Sequence, residues 1–172
     1  MVIPAAQTSP RERIWQALAE IPDPEIPAIS LVDLGVIGEV RIGPDLIHVE
    51  LLPTFVGCPA VEVMRQRIGE RLTELAIADR VEVEVSFATP WTSERISDAG
   101  RERLRLSGFA PPVMTASDGL DGLDELAVLP IAECPYCGSR NTTLDNAFGP
   151  TLCRAIYHCA ECRQPFEQFK RV

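Results

Sequence analysis

Cys134-Pro135-Tyr136-Cys137-Gly138 and Cys159-Ala160-Glu161-Cys162 are two C-x-x-C pairs, with 21 residues between the inner cysteines. In such a pair a tight turn aims two thiolates at one point, and two of these knuckles close a tetrahedral four-thiolate site. The donor set suits zinc, or iron in an iron–sulfur centre. A closed four-ligand site is structural by default, so a zinc ribbon is the first expectation and a redox cluster the alternative. The 39 residues from Cys134 to Val172 are too few to stabilise themselves by burial alone. Metal would then supply folding free energy, on the order of 10 kcal/mol or more for structural zinc.

Two nearby groups fit the site less well. Cys153 lies six residues before Cys159, roughly 20 Å away if the chain is extended, so it reads as an extra thiol and not a ligand. His158 neighbours Cys159 and points to the opposite face of a strand.

Other residues carry chemistry outside the tail. Cys58 follows Gly57 at the expected start of a helix, where the positive end of the dipole favours thiolate. A small free cysteine also packs well at such a junction. Asp23 and Glu25 sit in a loop stiffened by Pro22, Pro24 and Pro27, and are either hard donors for iron or solvated acids. Asp33, before Leu34-Gly35, either joins them or caps its own turn. Trp91 is core or a partner anchor, and His48 on a strand reads as an ordinary surface residue.

Several chemistries lack their residues. Lys170 is the one lysine, so no Walker A motif exists. There is no H-E-x-x-H, no G-x-S-x-G and no G-x-G-x-x-G after a strand. Hydrolase, nucleotide-dependent and Rossmann functions lose their support.

The elements that must position these residues follow from pattern. Ser9-Pro10-Arg11-Glu12 is a capping box, and Ile14, Trp15, Leu18 and Ile21 follow at helical spacing, predicting a helix from Pro10 to Glu20. Strands are predicted over Val36–Ile42 and Leu46–Leu52, around Gly43-Pro44-Asp45. Val61, Met64, Ile68, Leu72 and Leu75 mark a second helix. Val81, Val83, Val85 and Phe87 alternate with Glu82, Glu84 and Ser86, predicting a strand buried on one face. Ser97 caps a third helix through Leu104 and Leu106, stopped by Gly108. This order predicts an α+β fold with helices on one face of a short mixed sheet. The division expected is residues 1–108 for that domain, 109–133 for an acidic Pro/Gly-rich linker with room for one helical turn, and 134–172 for the ribbon.

The whole chain, 172 residues with 46% hydrophobic and 24% charged, has globular composition, which excludes disorder throughout. The net charge of -9 argues against a general nucleic-acid binder. That charge is uneven. Residues through Glu133 hold 11 basic and 22 acidic side chains, and those from Cys134 hold 5 and 3. No secretory leader or apolar run of bilayer length is visible, which predicts a cytoplasmic protein with no membrane partner.

Three segments together resemble a known family: Asp23-Pro24-Glu25-Ile26-Pro27 with Leu31-Val32-Asp33-Leu34-Gly35, Thr54-Phe55-Val56-Gly57-Cys58-Pro59, and Thr89-Pro90-Trp91. The family is the small cytosolic iron–sulfur assembly proteins that include SufT, whose corresponding loops line one surface. Trp91-Thr92-Ser93-Glu94-Arg95, Gly108-Phe109-Ala110-Pro111-Pro112, Phe148-Gly149-Pro150-Thr151 and the first Cys pair extend the resemblance over nearly the whole chain. There it resembles the D-subunit family of bacterial phenylacetyl-CoA ring epoxidase systems.

The resemblance implies a non-catalytic accessory protein that assists iron or iron–sulfur centre assembly in aerobic phenylacetate catabolism. It implies Cys58, with Asp23, Glu25 and Asp33, as the residues that handle iron or a cluster. Its implied partners are epoxidase components or their maturation machinery, and a homodimer stays open. The rival readings are an electron-transfer component and a structural zinc-ribbon adaptor.

Overall fold

Ser9 opens the first helix, α1 (Pro10–Ala19), by the expected reciprocal cap. Its hydroxyl accepts from the Glu12 backbone at 3.2 Å, and the Glu12 carboxylate accepts from the Ser9 backbone at 2.7 Å. In this computed structural model the described residues are 8–112 and 131–170. Most of the linker expected over 109–133, its helical turn included, lies outside them.

Ile14, Ala17 and Leu18 form the buried stripe of α1. The chain then runs through a loop to β1 (Ile37–Ile42), β2 (Leu46–Leu51), α2 (Val61–Thr73) and β3 (Arg80–Val85). β1 pairs antiparallel with β2, and β2 parallel with β3, so the sheet is mixed and ordered β1-β2-β3. Ile47, Val49 and Leu51 of the central strand are fully buried, as are Ile68 and Leu72 of α2.

Two expectations need correction here. Val81, Val83 and Val85 are half-buried, because β3 has a strand on one side only. Phe87 lies past the end of that strand and is exposed.

By their contacts the residues form two compact units, Met1–Trp91 and Thr92–Val172. The second unit holds α3 (Asp98–Leu106), capped by the Ser97 hydroxyl accepting from Gly100 at 2.9 Å. Gly108 ends the turn after it with φ +84°, and a side chain there would collide with the Tyr136 hydroxyl. Leu104 is buried and Leu106 is exposed.

Next comes β4 (Phe109–Ala110), which pairs parallel with β7 (Pro165–Phe169) in a sheet ordered β4-β7-β6-β5. β5 is Thr142–Asn146 and β6 is Arg154–Cys159. The second unit therefore takes in α3 and β4, which the sequence division assigned to the first block and the linker. The strand pairing of Phe109 and Ala110 with Glu167 and Gln168 is the physical reason.

Around the ribbon strands one buried cluster forms from Ala110, Ala132, Cys134, Ala155, Tyr157, Cys159 and Phe166. Tyr157 and Phe166 stack at 5.7 Å between ring centroids. Arg154 is buried beside it, held by Glu167 at 2.9 Å and Thr151 at 3.0 Å, with its guanidinium 5.8 Å from the Phe109 ring centroid. Among the described residues no helix is long and apolar enough to cross a membrane.

Candidate functional site

The two C-x-x-C knuckles share one backbone solution. In the first, Gly138 takes φ +73°, its N–H donates to the Cys134 carbonyl at 2.9 Å, and the Cys134 N–H donates to Ser139 at 2.9 Å. In the second, Arg163 takes φ +61°, its N–H donates to the Cys159 carbonyl at 2.9 Å, and the Cys159 N–H donates to Gln164 at 3.0 Å. The left-handed residue after the second cysteine reverses the chain, so both sulfurs of a pair face the same way. Glycine does this freely, and arginine does it against its own Cβ.

The hairpin brings the knuckles together. The sulfurs of Cys134, Cys137, Cys159 and Cys162 lie within 4.8 Å of one another. Across the knuckles, Cys134 Sγ is 3.6 Å from Cys162 Sγ, and Cys137 Sγ is 3.6 Å from Cys159 Sγ. Cys134 and Cys159 are buried, Cys162 is half-buried and Cys137 is exposed. A hydrogen bond from the Cys162 backbone, opposed by burial and helped by the Glu161 backbone, holds the Cys159 thiol down to about 7. Burial pushes the Cys162 thiol up to about 12.

Cys153 is buried outside this group, with its sulfur 3.1 Å from the Thr151 hydroxyl. His158 also stays outside the group, opposite Pro165 in the β6–β7 ladder.

In the first unit the loop after α1 is built by its acids. Asp23 is buried, and its Oδ1 accepts from the backbone of Glu25 at 2.9 Å and of Ile26 at 2.7 Å. Ser30 donates its hydroxyl to Asp33 Oδ2 at 3.0 Å, and accepts from the Asp33 backbone at 3.0 Å. These are self-capping turns of the kind short acids favour. Trp91 is buried, and its Nε1–H donates to the Leu34 carbonyl at 3.0 Å, pinning the same loop.

Cys58 is half-buried in the loop before α2, two residues ahead of the N-cap Ala60, and so just outside the first helical turn. Among the described residues, the four ribbon cysteines are the one set of three or more such groups whose ligand atoms converge. Cys58, Asp23, Glu25 and Asp33 do not form another.

One constellation is not readable in the sequence. His48 Nε2 meets Glu84 Oε2 at 2.9 Å, and Arg41 Nη2 meets His48 Nδ1 at 3.2 Å. These three residues come from three adjacent strands, and only the register aligns them.

A family described as the PaaD zinc beta ribbon domain matches residues 124–170. One described as an iron-sulfur cluster assembly protein matches residues 11–85. An Escherichia coli (strain K12) protein, provisionally named as the D-subunit of 1,2-phenylacetyl-CoA epoxidase, is 37% identical over 159 residues, 92% of each chain. The Fe-S protein maturation auxiliary factor YitW of Bacillus subtilis (strain 168) is 30% identical over 88 residues, 51% of this chain and 85% of that one. The crystal structure of a domain of unknown function, DUF59, from Bacillus anthracis matches with a TM-score of 0.50 at 24% identity. It covers 54% of this chain and 88% of that one, a likeness of fold alone.

Proposed function

Since the chain belongs to the D-subunit family of phenylacetyl-CoA epoxidases, we propose that it is a non-catalytic accessory protein that assists assembly of an iron or iron–sulfur centre in an epoxidase system of that kind. The observation that carries this reading is the union in one chain of an iron–sulfur assembly segment, residues 11–85, with a cysteine ribbon, residues 124–170.

The ribbon's role in this reading is structural. Four thiolates around one zinc at about 2.3 Å stand about 3.8 Å apart, and the sulfur pairs at 3.6 Å suit that arrangement. A cluster spreads its thiolates over two or more irons and sets them farther apart, so the spacing favours a single ion over a multi-iron cluster. When bound, zinc cross-links the two knuckles and supplies no redox chemistry. Cys134, Cys137, Cys159 and Cys162 are the residues that would hold it.

Cargo handling then falls to the first unit. Cys58 is half-exposed on the loop before α2. A site of that kind suits passing contact with iron or a cluster, completed by the recipient's own ligands. Asp23 and Asp33 shape the loop after α1, and with Glu25 they are the carboxylates we assign to the cargo.

Metal analysis and visible spectra of anaerobically purified protein test the assignment. One zinc per chain and no visible absorbance are expected, and a reducible chromophore would replace this reading with electron transfer. Cys58→Ser is expected to keep the ribbon ion and to abolish maturation of the epoxidase; full maturation in that variant would remove Cys58 from the mechanism.

A further inference from the structure

The first sheet is left open on one side. It has three strands, and among the described residues nothing pairs with the outer edge of β3. Arg80 N–H donates to the Asp45 carbonyl at 3.0 Å, and Ser86 N–H to the Leu51 carbonyl at 2.9 Å. In a parallel pair, bonding alternates by residue, so Arg80, Glu82, Glu84 and Ser86 turn their backbone toward β2. The N–H and C=O groups of Val81, Val83 and Val85 point outward.

The side chains of this edge are ordered by charge along the strand. Val81, Val83 and Val85 stand opposite Ile47, Val49 and Leu51 on the core face and are half-buried. Arg80, Glu82 and Glu84 are exposed on the other face, a cation where the strand begins and two anions after it. A strand that begins basic and ends acidic is complementary to itself when run antiparallel. Glu84 Oε2 takes His48 at 2.9 Å, and Glu50 stands beside Glu84 in register, adding negative charge at the acidic end.

Backbone direction limits how two copies of this edge can meet. Outward groups bond only to outward groups, so valine must face valine. Centred on Val83, the pairing sets Glu82 against Glu84 on both sides of the axis, which is repulsive. Centred on Val81, it sets Arg80 against Glu82 but joins only Arg80 to Glu82 of the strand. Centred on Glu82, it joins Arg80 to Glu84, exchanges both backbone bonds between each Val81 and the other copy's Val83, and sets each Arg80 against the other copy's Glu84. A single like pair remains, Glu82 against its own copy on the axis. Two opposite-charge pairs against one like pair leave the balance attractive.

We propose that the chain forms a two-fold homodimer in which β3 pairs antiparallel with β3 of a second copy, in the register centred on Glu82. The contact is isologous, and it joins the two three-stranded sheets into one. The groove of about 540 Å³ between β3 and α2 lies at its rim, where Val63 and Val83 share the lining with the Arg65–Glu62 ion pair at 2.8 Å. That rim adds little apolar burial, so the dimer is reversible and its choice of partner rests on the strand. Neither the metal nor Cys58 takes part, so this dimer stands or falls separately from the proposed function.

Sedimentation equilibrium of the full chain is expected to show monomer and dimer exchanging between about 1 and 300 μM. Hydrogen exchange at the amides of Val81, Val83 and Val85 is expected to slow as concentration rises. Arg80→Glu and Glu84→Arg each turn both attractive pairs repulsive and are expected to weaken the dimer by about tenfold or more. The double variant carrying both swaps restores opposite charges and is expected to restore the dimer. Glu82→Gln removes the like pair on the axis and is expected to tighten it. Circular dichroism checks that each variant folds. A monomer across the whole range, a dimer that leaves those amides unprotected, protection that does not depend on concentration, a double swap no better than the single variants, or a weaker dimer in Glu82→Gln would each overturn the proposal.

Discussion

Arg163 occupies the backbone position that Gly138 fills in the other knuckle, and it carries a steric cost there. A left-handed conformation costs a non-glycine residue about 1–2 kcal/mol. The Arg163 side chain is exposed, so little packing offsets that cost. Arg163→Gly is therefore expected to stabilise the metal-loaded ribbon by up to about 1 kcal/mol, after glycine's greater unfolded-chain entropy is subtracted. Thermal unfolding of the zinc-loaded protein measures it, and a lower transition temperature would show that the guanidinium makes a contribution of its own. The convergence of the four cysteines was legible as two C-x-x-C pairs, because thiolate geometry leaves few workable spacings. The residue that closes the second turn was not legible, because nothing in an arginine's chemistry announces a positive φ.

Among the elements, the loop after α1 depends on contacts far apart in sequence. Its own acids fold it locally through Asp23 and Asp33, yet the tie at its far end is Trp91, 57 residues beyond Leu34. Trp91→Phe keeps most of the buried ring and removes the donor to the Leu34 carbonyl. Leaving a buried acceptor unpaired costs about 1–3 kcal/mol, so chemical denaturation should show a loss in that range for the first unit. The same variant should leave the ribbon's metal content unchanged. If stability is unaffected, the indole hydrogen bond does not restrain the loop.

The helices and strands β1 and β2 were legible from periodicity, caps and turn residues, since those signals are local. The edge character of β3 was not, because an alternating pattern gives the same reading whether one or two neighbours flank it. The Arg41–His48–Glu84 alignment and the pairing of Phe109 with β7 were hidden for a related reason. Strand register is a property of two segments at once.

At the scale of the whole molecule, the two units are stabilised by different means, and one treatment should separate them. The first buries a run of large aliphatic side chains, among them Ile14, Leu18, Ile29, Leu31, Ile47, Leu51, Ile68 and Leu72, enough for an ordinary hydrophobic core. Among the described residues the second buries fewer large aliphatic side chains, Ile96 and Leu104, and its ribbon cluster includes Cys134 and Cys159, themselves candidate ligands. Removing the ion would therefore take away both the cross-link and the packing that depends on it.

A tight chelator is expected to melt the ribbon strands while the first unit keeps its cooperative transition; loss of both together would refute separate stabilisation. Acid should act in the same direction. Metal binds thiolate, so the ion must displace the proton from Cys162, whose thiol lies at about 12, throughout the neutral range. Below about 7 it must also displace the proton on Cys159. Affinity therefore falls as pH falls, and the slope of log affinity against pH should steepen by about one below pH 7. Competition with a chromophoric zinc chelator between pH 6 and 8 measures that slope. A slope unchanged across pH 7 would mean that the Cys162 and Glu161 backbone does not hold Cys159 as thiolate.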